Sequence, residues 1–281
     1  MKKIMFSLAL AIGLMGTAQD AKSQLKLPSA SSKQSLTQEL GIGTIELNYQ
    51  RPSARGREIF GQLVPYGEVW RTGANDATAI TFSTDVQIEG KPLSAGTYGL
   101  FTIPGEKEWT IIFNKNSEQW GAYTYNQADD VLRVVVPTHT VNTPLETFTI
   151  SFDDVLEQSL TVGLTWANQR AAFQVSTDQS KEILASIQEA MTGDKKPYFQ
   201  AAVYFYKNDI QLDNAAKWIT EADKGNNKAP HIKYWKSRIL AKSGDKDGAI
   251  KAAEEGIAMA KSADNTEYIR LNTQALEEAK K

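Results

Sequence analysis

From Gly41 to Thr177 apolar and polar residues take turns along the chain. Ile45, Leu47 and Tyr49 alternate with Glu46, Asn48 and Gln50; Phe148, Ile150 and Phe152 alternate with Thr147, Thr149 and Ser151. Leu160, Val162, Leu164 and Trp166 do the same with Thr161, Gly163 and Thr165. A period of two sends successive side chains to opposite faces of a strand, so each run predicts a half-buried strand. Further runs predict strands at 79–84, 85–90, 96–103, 108–114, 131–137 and 170–176, with Gly90, Gly96, Pro104-Gly105 and Pro137 as turn punctuation. Many short strands with no intervening helical period imply an antiparallel β-sandwich or jelly-roll-like domain over 41–177.

Past residue 177 the pattern changes. Residues 41–177 hold 17 Thr, 12 Gly and 3 Lys, whereas 178–281 hold 4 Thr, 5 Gly, 15 Lys and 17 Ala. Ala and Lys favour helices as Thr favours strands. Helices are expected near 179–191, 197–208, 212–224, 230–242, 246–261 and 265–280. Ala215 and Ala249 lie 34 residues apart, as do Tyr206 and Leu240, and Ala222 and Gly256. That period, with small residues where paired helices touch, is the tetratricopeptide signature. The match is partial, because the first unit lacks a Gly-Asp turn and Trp218 and Trp235 sit off the usual places. The last helix, with Glu277, Glu278 and terminal lysines, has the polar face of a cap. The reading is an all-α, tetratricopeptide-like domain over 178–281.

Composition narrows the chemistry. The 281 residues contain no Cys and two His, and the net charge is −2. Disulfides, thiolate nucleophiles and Cys zinc sites are thereby excluded, and the charge argues against a nucleic-acid partner. Lys2 and Lys3 precede an apolar run from Ile4 to Met15, and Ala21-Lys22-Ser23 fits a small-x-small cleavage site. Residues 1–23 therefore read as a signal peptide cleaved after Ser23, with Ala18 as the second cleavage position. No Cys stands there to carry a lipid anchor. Residues 24–40, rich in Ser, Lys and Gln, read as a flexible lead-in. No later segment is apolar enough to span a bilayer, so a soluble periplasmic or secreted mature chain is expected.

The stretch 50–78 lies between predicted strands and has little periodicity. It carries Phe60, Leu63, Val64, Tyr66 and Trp70 together with Arg51, Arg55, Arg57 and Arg71. Long irregular loops in compact domains are usually functional or disordered, and this one has too many apolar anchors for disorder. Guanidinium groups fit carboxylate, phosphate or sulfate and stack on aromatic faces. Arg55, Arg57, Trp70, Arg71 and Asn75 are thus candidates for holding an anionic or sugar ligand. In the alternative, the arginines pair with acids such as Glu58 and Glu68 and only tie the loop down. A second cluster holds Trp109, Trp120, Tyr123 and Tyr125. Trp109 alternates with Ile111 and Phe113 and is expected in the core, whereas Trp120 and Tyr123 are candidates for stacking on a sugar ring. Asp129-Asp130 and Asp153-Asp154 are adjacent in sequence, so each pair points to opposite faces of a strand and is no glycosidase dyad in itself. No nucleophile elbow, phosphate loop or dinucleotide fingerprint occurs, and His139 and His231 have no metal-ligand neighbours. No catalytic residue, metal or cofactor is expected.

The segments Gly56-Arg57-Glu58-Ile59-Phe60-Gly61, Leu63-Val64-Pro65-Tyr66-Gly67 and Val69-Trp70-Arg71-Thr72-Gly73-Ala74-Asn75 resemble the signature of the DUF2911 family. So do Ala95-Gly96-Thr97-Tyr98-Gly99-Leu100-Phe101, Trp109, Phe113-Asn114 and Trp120-Gly121. The resemblance covers about residues 25–175. It implies an exported protein of Bacteroidetes-type bacteria, in a family with no established activity, and it carries over no catalytic residue. The expected function is therefore a non-catalytic envelope binding or scaffolding protein. Its β domain would recognise a small anionic or glycan ligand, and residues 178–281 would contact an envelope protein partner. Two alternatives stand beside it: a glycan or ester hydrolase using Glu58 or Glu68 near Arg71, and a structural β domain with function in the helical repeats.

Overall fold

Among the residues described by the structure, a computed structural model covering 27–225 and 228–281, the alternating half forms nine antiparallel strands in one sheet. They are β1 (Ser32–Leu40), β2 (Gly43–Arg51), β3 (Thr78–Phe82), β4 (Val86–Ile88), β5 (Lys91–Leu93), β6 (Gly96–Ile103), β7 (Glu108–Asn114), β8 (Asp130–Asp153) and β9 (Ser159–Ser176). Their order is β1-β2-β3-β6-β7-β8-β9-β4-β5, a meander with the short β4–β5 hairpin set beyond β9. The signal segment predicted at 1–23 lies outside the described residues.

The long strand β8 lets the sheet cover both sides of its own core. Its first part pairs with β7 as far as Pro137, and from Thr138 onward it pairs with β9. At the other end of the sheet, β2 reaches back to it. The Tyr49 hydroxyl accepts from the Ile150 amide at 3.0 Å, and Arg51 donates to the Phe148 carbonyl at 3.1 Å. The inward positions of every strand alternation thus meet in one cluster, with Trp109, Trp166, Phe82, Phe113, Phe148 and Phe173 fully buried. Aromatic side chains of this size dominate core energetics, and truncating one to alanine costs about 3–5 kcal/mol.

Three expectations are corrected here. Residues 32–40, expected in the flexible lead-in, form strand β1, paired with β2 along its whole length through a turn at Gly41-Ile42. Its composition hid it because it is an edge strand, exposed on most of one face, with Leu36 and Leu40 as its apolar contacts. The runs at 131–137 and 147–152 belong to one strand, as do those at 160–166 and 170–176. In between, the β8–β9 register shifts at Thr140 to Leu145 and again to Thr149, which breaks the alternation without ending the strand. Finally, β5 was not expected at all. With three residues, including Pro92, it is too short to show a period.

The chain divides after Thr177 into two compact units. The second contains six helices among its described residues: α1 (Ser180–Ala190), α2 (Tyr198–Lys207), α3 (Leu212–Gly225), α4 (Pro230–Lys242), α5 (Lys246–Ser262) and α6 (Thr266–Lys280). Pro at the first turn starts α4, and the Asp245 and Asn265 side chains cap α5 and α6 by accepting from Gly248 and Tyr268 amides. The 34-residue period maps the α2–α3 hairpin onto α4–α5, and Ala215 and Ala249 are both fully buried. A larger side chain at either place would push its helix off its neighbour.

Candidate functional site

The loop between β2 and β3 has no regular structure, so its backbone groups need partners elsewhere. It finds them at both ends. Near its start, Ser53 bridges to Thr147, the Ala54 amide donates to Glu146 O at 2.8 Å, and the Phe148 amide donates to Pro52 O at 2.8 Å. The loop therefore adds a short strand-like pairing where β8 is out of register with β9. Further on, Trp70 and Thr102 exchange both backbone hydrogen bonds, at 2.7 and 2.9 Å. The Trp70 ring is 7% exposed, lies against Trp166 at 5.8 Å with 19° between planes, and meets Phe60, Trp109 and Phe148 edge-on or tilted. Its indole N–H donates to Gly73 O at 3.1 Å.

Past the anchored Trp70 the chain reverses tightly. Thr72 takes a left-handed backbone, φ 54°, and Asn75 does so again at φ 55°. For a β-branched residue that conformation is a true outlier, costing about 1–3 kcal/mol where the surroundings enforce it. The surroundings are present. Thr72 is fully buried, its hydroxyl bonds Thr102 Oγ1 at 3.1 Å, and its carbonyl accepts from Thr78 Oγ1 at 2.6 Å. Gly73 is required because a Cβ there would come within 2.9 Å of the Gln50 carbonyl. The reversal leaves the Arg71 side chain at the wall of a cavity of about 330 Å³.

Five of the seven candidate residues, Arg55, Arg57, Trp70, Arg71 and Asn75, line that one cavity. Their states differ. Arg57 donates to the Ala54 and Ser53 carbonyls at 2.9 and 2.8 Å, and Arg55 donates to Ala30 O at 3.0 Å while its amide bonds the Glu146 carboxylate. Arg51, outside the cavity, bonds Phe148 O and Thr149 Oγ1. Among the described residues the Arg71 guanidinium has no hydrogen bond or ion pair, and its Nε is buried without a partner. Burial pushes the Arg71 pKa down from its ordinary value, while the nearby Tyr123 phenol acts weakly in the other direction. A guanidinium remains charged across the working range, so this is a half-buried cation with no counter-charge among the described residues.

The expected pairing of the arginines with Glu58 and Glu68 is not found. Both acids are exposed, and none of the four loop arginines has an ion pair among the described residues. The arginines divide instead into struts that bond backbone carbonyls and one free group. Among the described residues no Asp, Glu or His lines the cavity. One member of each Asp pair is occupied elsewhere: Asp130 bonds Arg133 at 2.6 Å and Tyr125 at 2.7 Å, and Asp153 bonds Arg170 at 2.6 Å.

Trp120 and Tyr123 adjoin the end of the 71–76 segment. The Gly121 amide donates to Asn75 O at 2.8 Å, and Asp76 bridges to Trp120. The two rings are 64% and 79% exposed and stack on each other at 5.5 Å with 15° between planes. Trp109, by contrast, is fully buried, as its alternation predicts. Sequence reasoning missed Ala30, Ser31, Pro52 and Trp166, which complete the cavity wall. Trp166 carried a signal in its alternation, but only as a core residue; Ala30 and Ser31 carried none.

Fold and site together define a two-unit chain: an antiparallel β unit with an arginine-lined, acid-free cavity, followed by a helical unit. The β unit, from β1 to β9, coincides with a match over residues 31–175 to the family described as "Protein of unknown function (DUF2911)", and the chain belongs to that family. The helices lie beyond the matched residues. No curated protein and no solved structure matches the chain.

Proposed function

We propose that this is an exported, non-catalytic binding protein of the bacterial envelope whose β unit takes a small anionic ligand on Arg71. The observation that carries this reading is the half-buried, unpartnered guanidinium in an acid-free cavity of about 330 Å³. A buried charge without a partner costs stability, and a bound anion removes that cost. The cavity falls at the low end of the size range of small-molecule sites, about 300–1,000 Å³, and its lining is more polar than apolar, as suits a charged ligand. Acid–base hydrolysis by loop carboxylates has no support there, since Glu58 and Glu68 do not line it. The helical unit, read as tetratricopeptide-like from its 34-residue offset, serves as the protein-contact surface. The mature chain begins at Gln24, which intact-mass measurement of protein recovered from the envelope tests directly.

The binding test is thermal-shift screening of residues 24–281 against organic acids, phosphate, sulfate and acidic sugars. At 100 times its dissociation constant a ligand adds about 2.7 kcal/mol of stability. The expected result is a rise in melting temperature with an anion and its loss in Arg71→Ala. A shift that persists in Arg71→Ala, or no shift with any anion, refutes the assignment.

A further inference from the structure

The cavity and the hollow beside Trp120 adjoin along the 71–76 segment and differ in charge. The 71–76 segment is their shared wall, since Arg71 and Asn75 line the cavity and Asp76 lines the hollow of about 350 Å³ beside Trp120. On the cavity side the ionisable groups among the described residues are three arginines, Arg55, Arg57 and Arg71. On the aromatic side they are two acids, Asp76 and Glu118, joined by Ser117 and Gln119.

The aromatic side is pre-organised. Gly121 takes a left-handed backbone, φ 70°, and the Tyr123 ring lies so close over it that a Cβ there would come within 2.6 Å of the ring. The Gln119 amide group is fixed on both ends, donating to Asn116 O and accepting from Thr124 Oγ1, each at 3.1 Å. Asp76 is oriented by Gln50 Nε2 at 3.0 Å. Two large rings, 64% and 79% exposed but held by such a turn, lack the burial that ordinarily explains aromatic residues.

A saccharide fits these chemistries together. The C–H face of a pyranose packs on an aromatic ring, and its hydroxyls donate to carboxylates. Asp76 and Glu118 would repel an acidic ring, so the acidic ring belongs on the arginine side. We infer that the cavity and the adjoining aromatic hollow together bind an oligosaccharide in which an acidic sugar, its carboxylate on Arg71, is followed by a neutral sugar stacked on the Trp120–Tyr123 pair. This rests on the reading of Arg71 as an anion site and adds the substrate class.

The test uses residues 24–281 on an array of acidic and neutral oligosaccharides, with titration calorimetry of glucuronate alone and of the array hits. Binding is expected only for oligosaccharides that join an acidic to a neutral residue, and Arg71→Gln should abolish it. Trp120→Ala and Tyr123→Ala, exposed positions where the fold should survive, are expected to weaken oligosaccharide binding about tenfold, as loss of roughly 1.4 kcal/mol implies. Both variants should leave glucuronate binding unchanged. Equal binding of neutral oligosaccharides, or full affinity in the aromatic variants, overturns the inference. If glucuronate or sulfate binds through Arg71 but no oligosaccharide binds more tightly, the anion site stands and the saccharide site falls. If no anion binds, both fall.

Discussion

Arg51 and Arg71 share a loop and a chemistry, yet their removal should have opposite consequences. Arg51→Ala strands the Phe148 carbonyl and Thr149 hydroxyl that its guanidinium satisfies. Hydrogen bonds to charged groups contribute about 1.5–3 kcal/mol, so urea unfolding should register a loss of that order. Arg71→Ala removes no hydrogen bond among the described residues and relieves a desolvated charge. Its stability should stay within about 0.5 kcal/mol of the parent or rise, while ligand response disappears. A destabilisation of Arg71→Ala as large as that of Arg51→Ala would make Arg71 another strut. The sequence places both in an arginine-rich loop but cannot separate them. What distinguishes them is β8, nearly a hundred positions further along the chain, which supplies acceptors to Arg51 and none to Arg71. The strain at Thr72 was equally invisible, because nothing in a Thr-Gly pair says which residue takes the left-handed backbone.

At the scale of elements, helices were legible and strands only in part. Each predicted helix matches an observed one to within a residue or two, since Ala, Lys and a 3.6-residue period act locally. Strand continuity depends on a partner far away in sequence. A bulge in β8 interrupts the period of two without ending the ladder, and the edge strand β1 needs only two apolar contacts. The ion network that fastens α3, α4 and α5 could not be read either, because Lys and Glu on helices usually face water. Lys233 on α4 reaches Asp223 on α3 at 2.8 Å and Glu255 on α5 at 2.6 Å, and Lys236 joins Asp223 at 2.7 Å. Burial alone would raise the Asp223 pKa, but the hydrogen bonds from Lys233 and Lys236 outweigh it and hold the pKa below its ordinary value. A depressed carboxylate contributes stability above its unfolded pKa of about 3.9 and loses it as pH falls through the lower folded value. The helical unit should therefore lose stability on acidification through that range, and Asp223→Asn should remove this part of the acid dependence. Asp223→Ala, which leaves the buried Lys233 with Glu255 alone and takes from Lys236 its ion pair, should cost up to about 3–5 kcal/mol in denaturant unfolding. A cost below 1 kcal/mol would mean that Glu255 alone compensates the charge.

For the whole molecule, the two units carry separate cores. The β unit's buried cluster runs from Leu40 to Val175, and the largest helical cluster is built from Ala202, Phe205, Ala215, Ile219, Ile232 and Ile239. A core that is closed within one unit is the physical requirement for folding alone. Residues 27–177 should therefore melt cooperatively as a fragment and keep the Arg71-dependent anion response. A fragment that starts at Gly41, where strand alternation becomes legible in the sequence, should fail on both counts. It lacks β1, so the whole β2 edge that β1 pairs with is left open, and Leu40, 2% exposed in the intact chain, is missing from the core. It also lacks Ala30 and Ser31, which wall the cavity and hold Arg55 through the Ala30 carbonyl. Calorimetry of the two fragments with and without the anion found by screening decides the matter. If the 41–177 fragment melts and responds like 27–177, β1 is dispensable and the cavity is closed by the loop alone. If only the longer fragment responds, the segment that composition marks as a lead-in is part of the binding unit.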